Sequence, residues 1–385
     1  MSTVRAMEEE TLPYYKPEQF YPVHMGEVLG SRYKVLGKLG YGAYSTVWLC
    51  RDEKANNYVA VKVLTRTSAD SKLASSRELD VYEHLRRLRS SHIGSAYIRG
   101  LYDAFDVSSP QGDYRCLVHP PTHMSINTLR WMARSCKLSE PLLKQTLVCL
   151  LHALDFLHSE ANVVHTDIKA SNIMLSIEDE AILAEFEKDE KGNPSPRKVV
   201  DCNRTIYSSR KLPWPSNSPW GQPVLCDLGA ARIGVSHKGN IQPEIYKAPE
   251  VHFDMPWSSS ADIWNVGVMI WDIFENKHLF DALDEDKEYS PSHHVAEMVA
   301  YLGAPPLHFL QRSEETLNVF DENGKWLGAG GVSVPSMSLE ESEENLSGQN
   351  KQQFLQFIRS MLQWVPEERK TAKELLDDPW LNSTN

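Results

Sequence analysis

One short stretch of this chain, Val163-Val-His-Thr-Asp-Ile-Lys-Ala-Ser-Asn-Ile-Met-Leu175, concentrates residue types that can carry chemistry. It offers an aspartate, a lysine and an asparagine on a loop between a predicted helix and a predicted strand. Transfer of a phosphoryl group needs these types. Asp167 can orient a hydroxyl and accept its proton, Lys169 can offset charge on the transferred group, and Asn172 can ligate Mg²⁺. His165 is expected to pack beneath the loop.

A second acid follows an apolar strand in Val224-Leu-Cys-Asp-Leu-Gly229. Asp227 there can hold a metal ion beside the β- and γ-phosphates of a nucleotide. Taken alone, each motif is compatible with an ordinary acidic turn. Their order and spacing together favour phosphoryl transfer.

Two glycines and a strand lysine precede these motifs. Leu39-Gly-Tyr-Gly-Ala-Tyr-Ser-Thr-Val47 places Gly40 and Gly42 at a strand-to-strand turn, where backbone N–H groups can approach phosphate oxygens. A plain β-hairpin would have the same pattern. Lys62 ends an apolar strand, where it is either a solvated lysine or the cation that α- and β-phosphates need. Glu78 on the next helix can hold it by a charge-assisted bond.

The elements that must position these residues follow from hydrophobic periodicity. β-branched and aromatic stretches from residue 33 onward predict antiparallel strands, and a charged helix is predicted over 75–88. After Pro121 the chain is mainly helical. Leucines at helical spacing over 142–158 predict a helix with one buried face, and the apolar run 261–274 predicts a helix inside a large domain. The order of elements indicates an α+β fold.

The predicted organisation has an N-terminal arm over 1–32, a first domain over 33–119 and a second domain over 120–385. Two segments of the second domain break the compact pattern. The stretch of about 178–222, rich in acidic residues and prolines, is predicted to be an insertion, and the Gly-, Ser- and Glu-rich stretch of about 321–349 a surface loop.

Composition bounds the class of protein. The 385 residues are 41% hydrophobic and 24% charged, which excludes wholesale disorder and coiled coil. Forty basic and 52 acidic residues give a net charge of −12, which argues against direct nucleic-acid binding through a basic face and suits a cationic partner. The six scattered cysteines predict reduced thiols, and no stretch predicts a membrane span. We expect a protein of the cytoplasm and nucleus.

Two further charged residues are expected to be architectural. Glu250, in Ala248-Pro-Glu250, and Arg369 are both predicted to be buried, and a buried charge is costly unless it is paired. The sequence therefore predicts an ion pair between them.

From Tyr33 to Leu381 the chain resembles a eukaryotic protein kinase, and within that superfamily it is most similar to the SR-protein kinases of the CMGC group, which phosphorylate serine/arginine-rich splicing factors. Four stretches carry the resemblance. They are Gly40-Tyr-Gly-Ala-Tyr-Ser-Thr-Val-Trp-Leu49, His165-Thr-Asp-Ile-Lys169, Asp227-Leu-Gly229, and Ile241-Gln242 ahead of Tyr246. The resemblance implies a bilobal fold, with an antiparallel β N-lobe, a mainly helical C-lobe and ATP in the cleft.

The resemblance also implies the residues of an ATP- and Mg²⁺-dependent site. The catalytic residues are Asp167, Lys169 and Lys62, and the metal ligands are Asn172 and Asp227. The residues implied to bind ATP are Leu39, Gly40, Gly42, Ser45, Val47, Ala60, Lys62, Glu78, Pro120 and Thr122. Since Pro120 and Pro121 have no N–H, adenine would use the Pro120 carbonyl and the Thr122 N–H.

The family likeness extends to regulation and substrate. Thr166 stands where most regulated kinases carry an arginine that binds an activation-loop phosphate, which implies a constitutively competent kinase. The resemblance as a whole implies a serine/threonine kinase that acts in the regulation of mRNA splicing. Its implied partners are basic Arg/Ser-rich proteins, and a monomer is expected. The acidic run Asp281, Asp284, Glu285, Asp286 and Glu288 is either their docking site or a solvated charged loop.

Departures from the family pattern keep two alternatives open. Pro243 replaces a threonine whose hydroxyl bonds the catalytic aspartate and lysine in many kinases, and Lys247 replaces a common arginine. One alternative is a pseudokinase or scaffold that binds a basic partner. The other is an active kinase with substrates that are not SR proteins.

Overall fold

A computed structural model describes residues 6–66, 72–215 and 220–383. Parts of four predicted segments lie outside the described residues: 1–5 of the arm, 67–71 of the first domain, 216–219 of the insertion and 384–385 of the second domain.

The longer strands lie within the first 120 residues, and most of the long helices lie after residue 120. The strands are β1 (Val28–Leu29), β2 (Tyr33–Gly42), β3 (Ser45–Asp52), β4 (Asn57–Leu64), β5 (Asp103–Ser109), β6 (Gly112–His119), β7 (Val163–Val164), β8 (Ile173–Leu175), β9 (Arg197–Val199), β10 (Thr205–Tyr207), β11 (Pro223–Leu225) and β12 (Arg232–Ile233). The helices are α1 (Lys72–Leu88), α2 (Ile126–Met132), α3 (Glu140–Asp155), α4 (Ala181–Gly192), α5 (Pro249–His252), α6 (Ser260–Ile270), α7 (Pro291–Leu302), α8 (Leu307–Leu310), α9 (Leu339–Ser342), α10 (Gly348–Met361) and α11 (Ala372–Leu376).

The chain forms two compact units, each built from several stretches. The first unit contains Met1–Glu83, Arg99–His123 and Leu175–Gln222, and the second contains His84–Ile98, Met124–Met174 and Pro223–Asn385. Antiparallel strands dominate the first unit and helices the second, which confirms the predicted α+β fold.

An antiparallel sheet with the strand order β1-β2-β3-β4-β6-β5 forms the centre of the first unit. Successive side chains of a strand point to opposite faces. On β3, Trp48 therefore joins a core cluster with Tyr33 and Val61, while the neighbouring Leu49 joins a second cluster on the other face. Both faces of the sheet are thus covered.

The predicted insertion covers the second face of this sheet. Phe186 of α4 packs with Leu49 and Tyr58, and Gly37 of β2 lies so close that a Cβ there would stand 2.6 Å from the Phe186 ring. The described part of this segment belongs to the first unit, although the sequence places it within the predicted second domain. The apolar face of α4 explains the difference, because it must bury itself against a neighbouring apolar surface.

The second unit is organised around buried helices. Leu143, Leu147, Leu150 and Leu154 of α3 are all buried, as their spacing predicts. Every residue from Ala261 to Ile270 in α6 is also buried, which confirms a helix in the interior. Short, apolar α6 therefore serves as a rigid support for the loops that contact it.

The segment 321–349 contains more structure than a simple surface loop. It includes the short helix α9, and Leu339 in that helix is fully buried. The carboxylate of Glu343 accepts bonds from the N–H groups of Asn345 and Leu346 at 2.7 and 2.6 Å. An apolar anchor and a buried carboxylate that accepts two backbone N–H groups thus hold one end of the segment against the unit.

The predicted Glu250–Arg369 ion pair forms as a two-pronged contact, with Nη1–Oε1 at 2.7 Å and Nη2–Oε2 at 2.6 Å. Both side chains are buried, so each neutralises the other in a low-dielectric setting. Among the helices in the described part of the chain, none is both long enough and apolar enough to cross a membrane.

Candidate active site

The loop that carries Asp167 is anchored from below by the carboxylate of Asp262. This residue lies in the first turn of α6, where the helix dipole favours a negative charge, and it is fully buried. Its Oδ2 accepts the N–H of His165 at 2.8 Å and its Oδ1 accepts the N–H of Thr166 at 2.7 Å. His158 Nε2 lies 2.8 Å from the same carboxylate. Two consecutive peptide groups of the loop are therefore fixed.

His165 packs beneath the loop, as predicted, with no exposed surface. Its Nδ1 accepts the N–H of Asp167 at 3.3 Å, so its Nε2 carries the proton that is donated to the Cys226 carbonyl 3.1 Å away. The imidazole thus ties the loop to the strand that precedes Asp227.

The structure brings together the three residues that the sequence predicts for phosphoryl transfer. Lys169 Nζ lies 2.8 Å from Asp167 Oδ2, and Asn172 Nδ2 donates to the same oxygen at 2.9 Å. Asn172 Nδ2 also donates to the Asp167 carbonyl at 2.8 Å. The Asp167 carboxylate is therefore oriented by a cation and an amide, and both of its side-chain partners come from the same loop.

Thr166 adopts a left-handed backbone conformation with φ of 70°. Its hydroxyl donates to the Ala230 carbonyl at 2.9 Å. The side chain that replaces the usual arginine therefore makes a direct, uncharged contact with the segment that follows Asp227. That contact forms without a phosphate.

The residues predicted to hold Mg²⁺ fit such an ion chemically. Asp227 has an exposed side chain and a left-handed backbone, with φ of 65°, and the N–H of its neighbour Cys226 bonds the Asn172 carbonyl at 2.8 Å. Since Asn172 donates through Nδ2, its Oδ1 remains as an acceptor. One carboxylate and one amide oxygen suit Mg²⁺, which completes its coordination with water and phosphate oxygens.

In the first unit, Lys62 and Glu78 form the expected ion pair. Lys62 Nζ lies 2.8 Å from Oε2 and 3.1 Å from Oε1 of Glu78, whose carboxylate is almost fully buried. Lys62 pairs with Val47 across β3 and β4, which places the lysine beside the strand that leaves the glycine-rich turn. Because the pair is largely removed from solvent, water screens its attraction less than that of a surface ion pair.

The glycine-rich turn joins β2 to β3. Gly42 pairs with Ser45 and Gly40 with Val47, and a Cβ at Gly40 would meet nothing within 4 Å. The turn thus has open space at Gly40, which is what close approach of a phosphate to the backbone requires. Leu39 lies on β2, Val47 on β3 and Ala60 on the adjacent β4, and their expected contacts with ATP stay a prediction.

The segment predicted to bind adenine contains a contact that the sequence does not reveal. Arg99 donates from Nε at 3.1 Å and from Nη2 at 2.9 Å to the Pro120 carbonyl, the acceptor expected for the adenine amino group. The preceding His119 is buried, and its Nδ1 lies 2.9 Å from the Gly100 carbonyl. Arg99 and Gly100 are therefore tied to Pro120 and His119 by side-chain hydrogen bonds.

The segment from Gln242 to Lys247 is held in place without a threonine at position 243. Gln242 donates to the Ala261 carbonyl at 2.9 Å and accepts the Ala248 N–H at 2.8 Å. Pro243 begins a short 3₁₀ helix, Glu244–Tyr246, with ordinary backbone angles. Burial and the neighbouring Asp272 carboxylate raise the pKa of Tyr246, whose hydroxyl donates to Asp272.

The acidic run in the second unit is largely exposed, as both of its predicted interpretations require. Asp281, Glu285, Asp286 and Glu288 are exposed. Asp284 instead shapes the turn, because its Oδ1 accepts the N–H groups of Asp286 and Glu288 at 2.9 and 3.0 Å. Lys247 lies 5.8 Å from the centre of the Tyr289 ring, directly after the run.

The chain belongs to the protein kinase domain family, which matches residues 33–207 and 218–381. It is 45% identical to a serine/threonine protein kinase of Aspergillus fumigatus, over 97% of this chain and 91% of that protein. It is 25% identical to the serine/threonine-protein kinase SRPK of Physarum polycephalum, over 97% and 91%. It is 22% identical to SRSF protein kinase 3 of Homo sapiens, over 97% and 90%.

These relatives confirm the resemblance that the motifs indicate. The chain is a protein kinase of the serine/threonine type, and its relatives indicate the SR-protein kinase branch of the CMGC group. Lys62 belongs to the first unit and Asp167 to the second, and their roles in catalysis stay a prediction.

Proposed function

We propose that this kinase transfers the γ-phosphoryl group of ATP, with Mg²⁺, to serines in Arg/Ser-rich proteins such as splicing factors. The observation that carries the proposal is the oriented Asp167 carboxylate, held by Lys169 and Asn172 on a loop anchored to Asp262. A carboxylate in this setting can accept the proton of a serine hydroxyl as the hydroxyl attacks phosphorus.

Several charged groups of the chain suit the nucleotide. Lys62, held by Glu78, offers an ammonium to the α- and β-phosphates. Asp227 and the Asn172 amide oxygen would hold Mg²⁺, which neutralises charge on the β- and γ-phosphates. Lys169 offsets charge on the transferred group. The complete set of ionisable residues supports an active enzyme over a scaffold.

The proposed preference for Arg/Ser-rich substrates is supported by charge. The net charge of −12 favours association with a cationic partner, and the exposed carboxylates of Glu285, Asp286 and Glu288 can attract guanidinium groups. The names of two relatives, SRPK and SRSF protein kinase 3, point to the same class of substrate.

The first experiment measures phosphate transfer from labelled ATP with Mg²⁺ to an Arg-Ser repeat peptide and to a basic peptide without the repeat. We expect transfer to prefer the repeat and to collapse in Asp167→Asn, which keeps the shape of the side chain and removes its basicity. Equal transfer to both peptides would leave a kinase without SR specificity. No transfer above the background of the variant would support the scaffold.

The second experiment tests the acidic run. Glu285→Gln, Asp286→Asn and Glu288→Gln are combined in one variant, and Glu314→Gln, Glu315→Gln and Glu322→Gln in a matched control that removes three exposed charges elsewhere in the same unit. We expect the first variant to raise KM for the repeat peptide several-fold, with less effect at high salt. Equal KM in the two variants would show that the run is only a solvated loop.

A further inference from the structure

The contact between Arg99 and Pro120 bears on which purine the nucleotide site prefers. Arg99 precedes β5, and the N–H of Tyr102 bonds the Val118 carbonyl at 2.8 Å, so this loop runs beside the end of β6. From that position the guanidinium reaches the first carbonyl after β6, and two of its N–H groups converge on one oxygen. The contact is charge-assisted and forked, which makes it stronger than an ordinary hydrogen bond.

The neighbouring residues leave few alternatives for a base. Pro120 and Pro121 have no N–H, so Thr122 is the next residue that can donate from its backbone. A carbonyl oxygen has two lone pairs, so the Pro120 oxygen would have to accept hydrogen bonds both from the guanidinium and from any base that binds here. The positive charge of the guanidinium makes this oxygen a weaker acceptor for a further hydrogen bond.

Adenine and guanine respond in opposite ways to such an arrangement. Adenine carries an amino donor at position 6, where guanine carries a carbonyl acceptor. A donor gains little from an oxygen already bonded to a cation. Arginine, in contrast, is a good partner for the O6 of guanine. The guanidinium has five N–H donors, and the contact with Pro120 uses two of them.

We propose that Arg99 sets the base preference of the nucleotide site by competing for the Pro120 carbonyl, so that the kinase binds guanine nucleotides almost as well as adenine nucleotides. The inference rests on the proposed nucleotide site and adds a specificity residue to it. Arg99 weakens the Pro120 carbonyl as an acceptor for adenine and offers its remaining N–H donors to the O6 of guanine, so its effect is on the choice of base.

The test is equilibrium binding of ADP and GDP with Mg²⁺ to the full chain, measured by calorimetry for the wild type, Arg99→Met and Arg99→Lys. Arg115→Met is the matched control, because Arg115 lies on β6 in the same unit and pairs with Asp106 at the surface. Thermal unfolding of all four proteins reports whether each is folded.

We expect the wild type to favour ADP over GDP by less than ten-fold. Arg99→Met frees the carbonyl and removes the cation, so it should bind ADP about three- to ten-fold more tightly and GDP more weakly, as expected for one hydrogen bond. Arg99→Lys keeps the charge without the fork and should fall between the two. Arg115→Met should match the wild type.

A wild-type preference for ADP above a hundred-fold overturns the inference even if Arg99→Met fails to fold. An ADP-to-GDP ratio that is the same in the wild type and in both Arg99 variants overturns it as well. Because binding needs no acceptor peptide, failure of the SR-kinase proposal is seen separately, as normal nucleotide binding without phosphate transfer. Absence of binding of either nucleotide to the wild type overturns the nucleotide site and this inference together.

Discussion

The loop that carries Asp167 and the strand that leads into the glycine-rich turn are both held by a buried charge, but the partners differ in kind. Asp262, under the loop, accepts two backbone N–H groups. Lys38, in β2 just before the turn, has a fully buried side chain that pairs with Glu9 of the N-terminal arm, while Glu8 lies 3.6 Å away.

A buried charge can therefore be held either permanently or by a partner that can be released. The N–H groups that satisfy Asp262 belong to the backbone of the same unit and cannot leave without unfolding the loop. Glu9 lies on a short 3₁₀ helix, Glu8–Thr11, which can detach from the sheet and become hydrated without unfolding the strands. Contacts from the insertion reinforce the arm, since Lys198 Nζ lies 2.9 Å from both carboxylate oxygens of Glu10.

The largest effect is expected from breaking the permanent anchor with Asp262→Asn. The amide keeps the shape but loses the charge and one acceptor, so a buried N–H is left unsatisfied. Loss of one partner from a buried charged network costs about 3–5 kcal/mol. We expect that loss in the free energy of unfolding by urea titration, together with a collapse of phosphate transfer.

The matched control for this variant is Asp254→Asn, which changes an exposed residue of the same unit with a positive φ of 47° that asparagine tolerates. It should stay within about 0.5 kcal/mol of the wild type. Equal stability of the two variants would show that Asp262 does not anchor the loop.

A smaller effect is expected from Lys38→Met, which breaks the releasable anchor. The apolar side chain can fill the space beside the Trp48 ring, and Glu9 escapes burial by releasing the arm. We therefore expect a loss of about 1–3 kcal/mol, together with faster proteolysis before residue 20. Glu9→Gln should accelerate the same cleavage, whereas a stable, uncleaved arm in both variants would contradict a releasable anchor.

The smallest effect concerns a third carboxylate, Glu297 of α7, which accepts the Ala282 N–H at 3.1 and 3.2 Å. Burial raises the pKa of Glu297 to about 7, and the negative charge of Asp281 acts in the same direction, although bonds from the Ala282 and Asp281 N–H groups lower it. The folded protein therefore retains a proton that the unfolded chain releases above about pH 4.5. The free energy of unfolding should fall as the pH rises from about 4.5 to 7.

Glu297→Gln should remove this pH dependence, which partial solvent screening limits to about 1 kcal/mol. Glu285→Gln, an exposed neighbour in the acidic run, should leave it unchanged. Urea unfolding at pH 5 and pH 7.5 provides the measurement. An unchanged slope in Glu297→Gln would assign the pH dependence to other groups.

Local motifs were enough to predict the candidate catalytic residues of this protein. Asp167, Lys169 and Asn172 are at most five residues apart, so any loop that keeps them together brings their polar groups within reach. Charge pairing likewise predicted Lys62 with Glu78 and Glu250 with Arg369, because buried charges of opposite sign must find each other. Periodicity predicted α3 and α6, since each has a buried face that the spacing reveals.

Only the tertiary structure decided which distant segments meet. Nothing in the local sequence distinguishes Lys38 from a solvated strand lysine, or Arg99 from a surface arginine, because their partners lie 29 and 21 residues away. The prolines and acidic residues of 178–222 predicted an insertion, but only the structure shows that the apolar face of α4 packs on the β-sheet of the first unit. The chemistry of residues that lie close together in the sequence can be inferred without the structure. For residues whose partners are remote, burial against those partners sets the charge state, orientation and specificity.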